Sequence, residues 1–322
     1  MSKTLKQKPM DFTNFHGILT ASESMKSFFA VLEKVAKTDS AVLIRGETGT
    51  GKELVAKAIH KLSLRGKKPF YAINCAMMTP ELMASELFGH KRGAFTGANA
   101  DHKGYFEAAH TGSLFLDEIA EMPLTLQPRL LRALQERTIS PVGSTNAKKV
   151  DVRLISATHK ALRKEVFEQR FREDLMYRVR VVPVFLPKLK DRDRDIELLT
   201  WKFIEEFNQI GHRKIESIEA SAYDALMSYT WPGNIRELRN NIEYSFATGE
   251  GHILRLCELT PELRGLESSY SPVEVSFEKD RSAIESALKR TGGKKGEAAK
   301  MLGMSRATFW RKLQQLKQNE TG

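Results

Sequence analysis

Residues Gly46-Glu47-Thr48-Gly49-Thr50-Gly51-Lys52 constrain this fold more than any other stretch, because of what stands on either side. They fit G-x-x-x-x-G-K, with a short apolar run at 41–45 before them and an amphipathic helical stretch at 53–62 after them. A phosphate-binding loop needs that context. Its glycines let backbone N–H groups converge on phosphate oxygens, and the helix that follows adds the positive end of its dipole. Lys52 supplies a point charge for the β- and γ-phosphates. ATP is therefore expected on residues Gly46 to Glu53. Glu53 stands where Ser or Thr normally ligates magnesium, so the protein ligand for Mg2+ must come from elsewhere.

Further apolar runs at 69–73, 113–116, 152–157 and 181–186 read as buried parallel strands, with helical stretches such as 126–135 between them. Alternating strand and helix predict an open α/β sheet with its ligand at the C-terminal ends of the strands. One apolar run, Leu114-Phe115-Leu116, ends in Asp117-Glu118. Alone, paired carboxylates mark a solvated strand end. Beside a phosphate loop they fit a Walker B pair, with Asp117 holding Mg2+ through water and Glu118 polarising the attacking water.

From about Arg194 the strand-like runs stop, and 196–207, 219–229 and 235–247 read as helices. Trp231-Pro232-Gly233-Asn234 is a turn with Asn234 as helix N-cap. Residues 265–277 carry Ser, Gly and Pro without a period and read as a linker. Beyond them, Gly303-Met304 separates two helical stretches, and Phe309, Leu313 and Leu316 share one helix face. This is a helix-turn-helix pattern. Arg306, Ala307, Thr308, Arg311 and Lys312 are its DNA-binding candidates: Thr308 and Arg311 for base edges, Arg306 and Lys312 for phosphates. A helical dimerisation unit is the alternative. The net charge of +11 favours the DNA reading, because residues 289–322 hold nine Lys or Arg against two Glu. No apolar run reaches membrane-spanning length, and no signal sequence opens the chain, which predicts a cytoplasmic protein. Cys75 and Cys257 lack metal-ligand spacing and read as two buried reduced thiols.

Between the phosphate loop and the acidic strand end lies Gly93-Ala94-Phe95-Thr96-Gly97-Ala98. Glycine at both ends lets the loop bend and carry Phe95 on a movable stalk. Phe95 could otherwise anchor the loop to the core. With Glu86-Leu87-Phe88-Gly89-His90 ahead of it, this hexapeptide resembles the signature of bacterial enhancer-binding proteins, AAA+ ATPases that remodel sigma-54 RNA polymerase. The resemblance implies that residues 93–98 contact sigma-54. That family also carries Gly-Lys-Glu at the phosphate loop, which makes Asp117 the metal residue.

The resemblance runs through residues 16–247 and implies further roles. Asn74 would hold Glu118 away from the water until hydrolysis is permitted. Thr158, in Ser156-Ala157-Thr158-His159, would lie near the γ-phosphate as sensor I. Arg172 and Arg178 would reach a neighbouring subunit's site; a surface ion pair, such as Arg172 with Glu168, is the plainer alternative. Arg236 would touch the nucleotide as sensor II, and residues 186–192 would join the two subdomains. Ile18 and Leu19 would pack on the adenine, although Thr20 takes the place of the family's glycine. The C-terminal unit resembles a Fis-type DNA-binding domain.

The expected organisation is a short extension (1–15), an AAA+ α/β subdomain (16–192), a helical lid subdomain (193–264), the linker, and a helix-turn-helix domain (278–322). The layout is similar to the phage-shock-protein type of activator, without a receiver domain, so control would fall to a separate regulatory protein or to expression level. The expected partners are sigma-54 polymerase, double-stranded DNA and further copies of the chain, forming a hexamer when active. Two other readings compete: a DNA-bound regulator with a vestigial ATPase fold, and another P-loop machine such as a helicase loader. The first leaves the intact hexapeptide unexplained, and the second also leaves the terminal helix-turn-helix unexplained.

Overall fold

The computed structural model describes residues 4–7, 9–211 and 213–266 and the single positions Thr291, Lys295 and Met301. The five apolar runs form one sheet in the order Val182–Phe185, Val42–Arg45, Arg153–Thr158, Ser113–Asp117, Phe70–Asn74. Every pairing in it is parallel. Parallel sheets are covered on both faces, which is why these runs are almost continuously apolar. Alternate residues along each strand face opposite sides. Leu43, Ile73, Leu114, Leu116 and Leu154 join one buried cluster with Met83, Leu87 and Leu130. Val42, Ile44, Phe115, Ile155 and Val184 join the other, under Phe28, Leu32, Val55 and Ile59 of helices Glu23–Ala36 and Lys52–Leu62.

Register aligns the strand ends that matter. Arg45 lies opposite Thr158, and Asn74 opposite Asp117. The phosphate loop, the acidic pair, Asn74 and the 158–159 segment therefore leave the same edge of the sheet.

Helices Asp195–Ile210, Ala220–Ser228 and Asn234–Thr248 form the expected helical part. It is not wholly helical. Ser217–Glu219 and Ile253–Leu254 pair in parallel, and Thr4–Leu5 joins them antiparallel. Strands of two or three residues are too short to show a period. Described parts of the expected N-terminal extension likewise join the fold: Thr13–Phe15 pairs with Ile18–Thr20, and Phe15 stacks on Phe29 at 4.2 Å.

The chain divides into two compact units, Met1–Thr260 and Pro261–Gly322. In the second, the Arg264 and Leu266 amides donate to the Pro261 carbonyl in a turn. Residues 267–277 of the expected linker and all five DNA-binding candidates lie outside the described residues.

Candidate nucleotide-binding site

Strand Val42–Arg45 delivers Gly46 to the sheet edge, where its amide donates to the Thr158 carbonyl. The loop turns through Gly49 and Gly51, at φ +80° and +98°, before helix Lys52–Leu62 begins. Above it opens a cavity of about 740 Å³ whose lining includes Thr48, Gly49, Lys52, Asn74, Asp117, Glu118, His159 and Arg236. The volume suits a nucleotide-sized ligand. Residues far apart in sequence meet here because the parallel register puts their strand ends side by side.

Lys52 is buried, and its Nζ donates to the Gly46 carbonyl at 3.2 Å and to Glu118 Oε1 at 3.0 Å. The other Glu118 oxygen lies 2.8 Å from His159 Nδ1 and also accepts from the His159 amide. Burial alone would raise the Glu118 carboxyl, but the hydrogen bond and charge of Lys52, joined by His159, hold it below its ordinary value. Asp117 goes the other way, raised first by burial and then by the Glu118 charge. Adjacent carboxylates are thus driven apart in acidity by what each one faces.

Asn74 donates to Asp117 Oδ2 at 3.3 Å and accepts from the Ala76 amide. The expected contact between Asn74 and Glu118 is therefore not made; Lys52 and His159 take both Glu118 oxygens instead. The sequence assigns His159 no role beyond closing the Ser156-Ala157-Thr158-His159 motif. Its place one residue past a strand end was the available signal. Thr158 is fully buried, and its hydroxyl accepts from the Lys160 amide. Ile18 does not line the cavity; it packs in the core with Phe15 and Phe29. Leu19 lies beside it in the hairpin, also away from the cavity. As successive residues of one strand they face opposite sides of the hairpin, Ile18 buried and Leu19 half-buried.

Asn234 is not an N-cap. Gly233 occupies that position, and Asn234 begins the helix at φ +54°, fully buried. Arg172 pairs with Asp174 at 2.7 Å, while Glu168 pairs with Arg170. Arg178 donates to the Leu134 carbonyl and lines a separate recess beside Ala41 and Val152, at the opposite ends of the strands. Neither arginine lines the cavity of its own chain. Cys75 is buried and its thiol is pushed up to about 12 by burial, then by the charge of Asp117. Cys257 is exposed, contrary to the expectation of two buried thiols.

Residues 93–98 form a closed-off surface loop. The Gly93 amide donates to the Ala98 carbonyl at 2.9 Å, and Ala98 is buried. Phe95 is 43% exposed, and its ring meets only the His90 edge at 4.9 Å among the aromatic contacts of the described residues. Thr96 beside it is exposed. The loop is rooted by mutual hydrogen bonds between His90 and His102 and by the Lys91 amide on Val142.

A magnesium ion keeps several waters and is commonly held by one or two carboxylates plus substrate phosphates. Asp117 is such a carboxylate, beside the loop and open to the cavity. Among the described residues no helix is long and apolar enough to cross a membrane.

Comparison with known proteins agrees along the chain. Residues 18–185 match the family described as the sigma-54 interaction domain, 190–274 the AAA+ ATPase lid domain, and 277–316 the Fis family of bacterial regulatory proteins. The transcriptional regulatory protein ZraR of Klebsiella oxytoca is 42% identical over 302 residues, covering 92% of this chain and 68% of that protein. The regulatory protein AtoC of Escherichia coli is 43% identical over 309 residues, covering 92% and 67%. The crystal structure of NtrX from Brucella abortus in complex with ATP superposes with a TM-score of 0.69 at 35% identity, covering 93% of this chain and 69% of that one.

Proposed function

The chain belongs to the sigma-54 activator family of AAA+ ATPases, and on that premise we propose that it spends ATP to remodel sigma-54 RNA polymerase at promoters. Its class is that of a transcriptional activator with a Fis-type helix-turn-helix. The observation that carries the mechanism is the meeting of Lys52, Asp117 and Glu118 at one cavity.

Lys52 leaves its partner Glu118 to meet the β- and γ-phosphates. Asp117 would hold Mg2+, which when bound would supply positive charge to offset the negative charge of the phosphates. Glu118, freed of Lys52, orients the attacking water. Thr158 and Arg236 sense the phosphates, and Asn74 acts through Asp117. Arg172 and Arg178 serve a neighbour's site, where an arginine stabilises charge on the transferred phosphoryl group. Their distance from their own cavity supports this reading, and it makes a ring, a hexamer in this family's manner, the active form. Phe95 and Thr96 are presented to sigma-54 by the loop at 93–98. Arg306, Thr308, Arg311 and Lys312 hold upstream DNA, and the protein works in the cytoplasm where that DNA lies.

The direct test is reconstituted transcription from a sigma-54 promoter carrying an upstream site for this protein. ATP should permit promoter opening, and a non-hydrolysable analogue should not. Equal opening without hydrolysis would overturn the proposal.

A further inference from the structure

Three consecutive carbonyls of the phosphate loop are held from outside it. Thr48 O accepts from Asn234 Nδ2 at 3.1 Å, Gly49 O from the Ile235 amide at 3.0 Å, and Thr50 O from Arg192 Nη2 at 2.8 Å. Across a planar trans peptide, the carbonyl and the following N–H point in opposite directions. Anchoring these three oxygens therefore sets the direction of the amides of Gly49, Thr50 and Gly51. All three donors come from the helical part or from the segment that leads into it.

Asn234 contributes most to this arrangement. Its Oδ1 accepts from the Leu189 amide at 2.9 Å, and its Nδ2 also donates to Glu47 Oε2 at 3.2 Å. One buried side chain thus ties together the loop, the connecting segment and the lid helix. Asparagine is among the few residues that tolerate its left-handed backbone. The approach is close: a Cβ at Gly49 would stand 2.1 Å from the Gly233 carbonyl oxygen.

We propose that Asn234 is a positioning residue for phosphate binding, which presets the loop by holding the Thr48 carbonyl and the Glu47 carboxylate from the lid side. Lid position and phosphate affinity then vary together. A lid swung away releases the loop carbonyls at once, and a nucleotide that fixes the loop holds the lid in place. The inference rests on the reading of this loop as the ATP site.

The test measures the ADP dissociation constant of the full chain, with thermal unfolding recorded alongside. Asn234→Gly keeps the backbone conformation at no steric cost and removes the side chain. It should raise the dissociation constant roughly tenfold, the equivalent of one net hydrogen bond. Asn234→Asp sets a carboxylate against Glu47 and should bind more weakly still. Adding Glu47→Gln should restore part of that affinity, because the glutamine amide can donate back to the aspartate. A merely structural asparagine would show lowered unfolding temperatures without that rescue. The proposal is overturned if Asn234→Gly binds ADP as the parent chain does, or if Glu47→Gln leaves Asn234→Asp unimproved. A parent chain that binds no ADP would sink the ATPase reading instead.

Discussion

The Thr20 hydroxyl lies 2.8 Å from both carboxylate oxygens of Asp195, and both residues are fully buried. The Ala21 amide adds a second bond to the same carboxylate at 2.7 Å. This pair joins the N-terminal hairpin to the first lid helix, and it explains how a threonine serves where the family has glycine. Burial raises the Asp195 carboxyl above its ordinary value, against the pull of Thr20 and Ala21.

A raised folded-state value means that the Asp195 contribution to stability is present below its unfolded value and lost as pH rises through the folded one. Thr20→Val removes a donor and raises Asp195 further. The cost should be about 1–3 kcal/mol at neutral pH, because a buried charged group loses a hydrogen bond. It should shrink toward acid pH, where Asp195 is protonated in both states. Denaturant unfolding of both chains across that range checks the slope; a cost independent of pH contradicts it.

Glu118→Gln should leave nucleotide binding intact and cut turnover by roughly 10²–10⁴-fold, the usual contribution of a positioned general base. Lys52→Ala should weaken binding itself, since the buried Lys52 ammonium lines the cavity beside the phosphate loop. Equilibrium binding and steady-state hydrolysis separate the two effects. A Glu118→Gln chain that hydrolyses normally removes this residue from the mechanism.

Hydrolysis per protomer should rise with protein concentration, because Arg172 and Arg178 lie outside the cavity of their own chain. Mixing an Arg172→Ala chain with a Glu118→Gln chain should recover turnover, since each supplies what the other lacks at a shared site. Flat turnover from dilute to concentrated protein would contradict the shared site.

Deleting residues 278–322 should abolish specific DNA binding and spare hydrolysis. Arg311→Ala should cost roughly 1–3 kcal/mol at one base position if it reads a guanine. Footprinting on the protein's own site measures both, and an unchanged footprint from the truncated chain refutes the assignment.

Much of this molecule was legible because its strands are buried on both faces. The apolar runs ending at Arg45, Leu116 and Ala157 predict a parallel sheet, and the sheet's register carries the nucleotide residues to one edge. Features that are not legible depend on contacts between distant segments. Thr4–Leu5 finds its partner at Ile218–Glu219 only in the folded chain. Asn234 has the residue type of a helix cap, and nothing local distinguishes a cap from a buried tie to Thr48. Asn74 and His159 both reach the acidic pair, but their choice between Asp117 and Glu118 is a matter of side-chain geometry at the sheet edge. The hexapeptide around Phe95 was informative for a different reason. An apolar ring between two glycines stands out from its polar surroundings, and its partial exposure agrees with a surface use.

Phe95 is the side chain through which the loop at 93–98 would meet sigma-54. The Phe95→Ala chain should unfold at close to the parent temperature, since the ring is only half covered, and it should hydrolyse ATP and bind DNA as the parent does. The decisive measurement is capture of sigma-54 by this chain in the presence of a transition-state mimic of ATP, followed by promoter opening with ATP. Loss of both, with hydrolysis retained, is the predicted result. A stable Phe95→Ala protein that hydrolyses ATP, captures sigma-54 and still opens the promoter would contradict it.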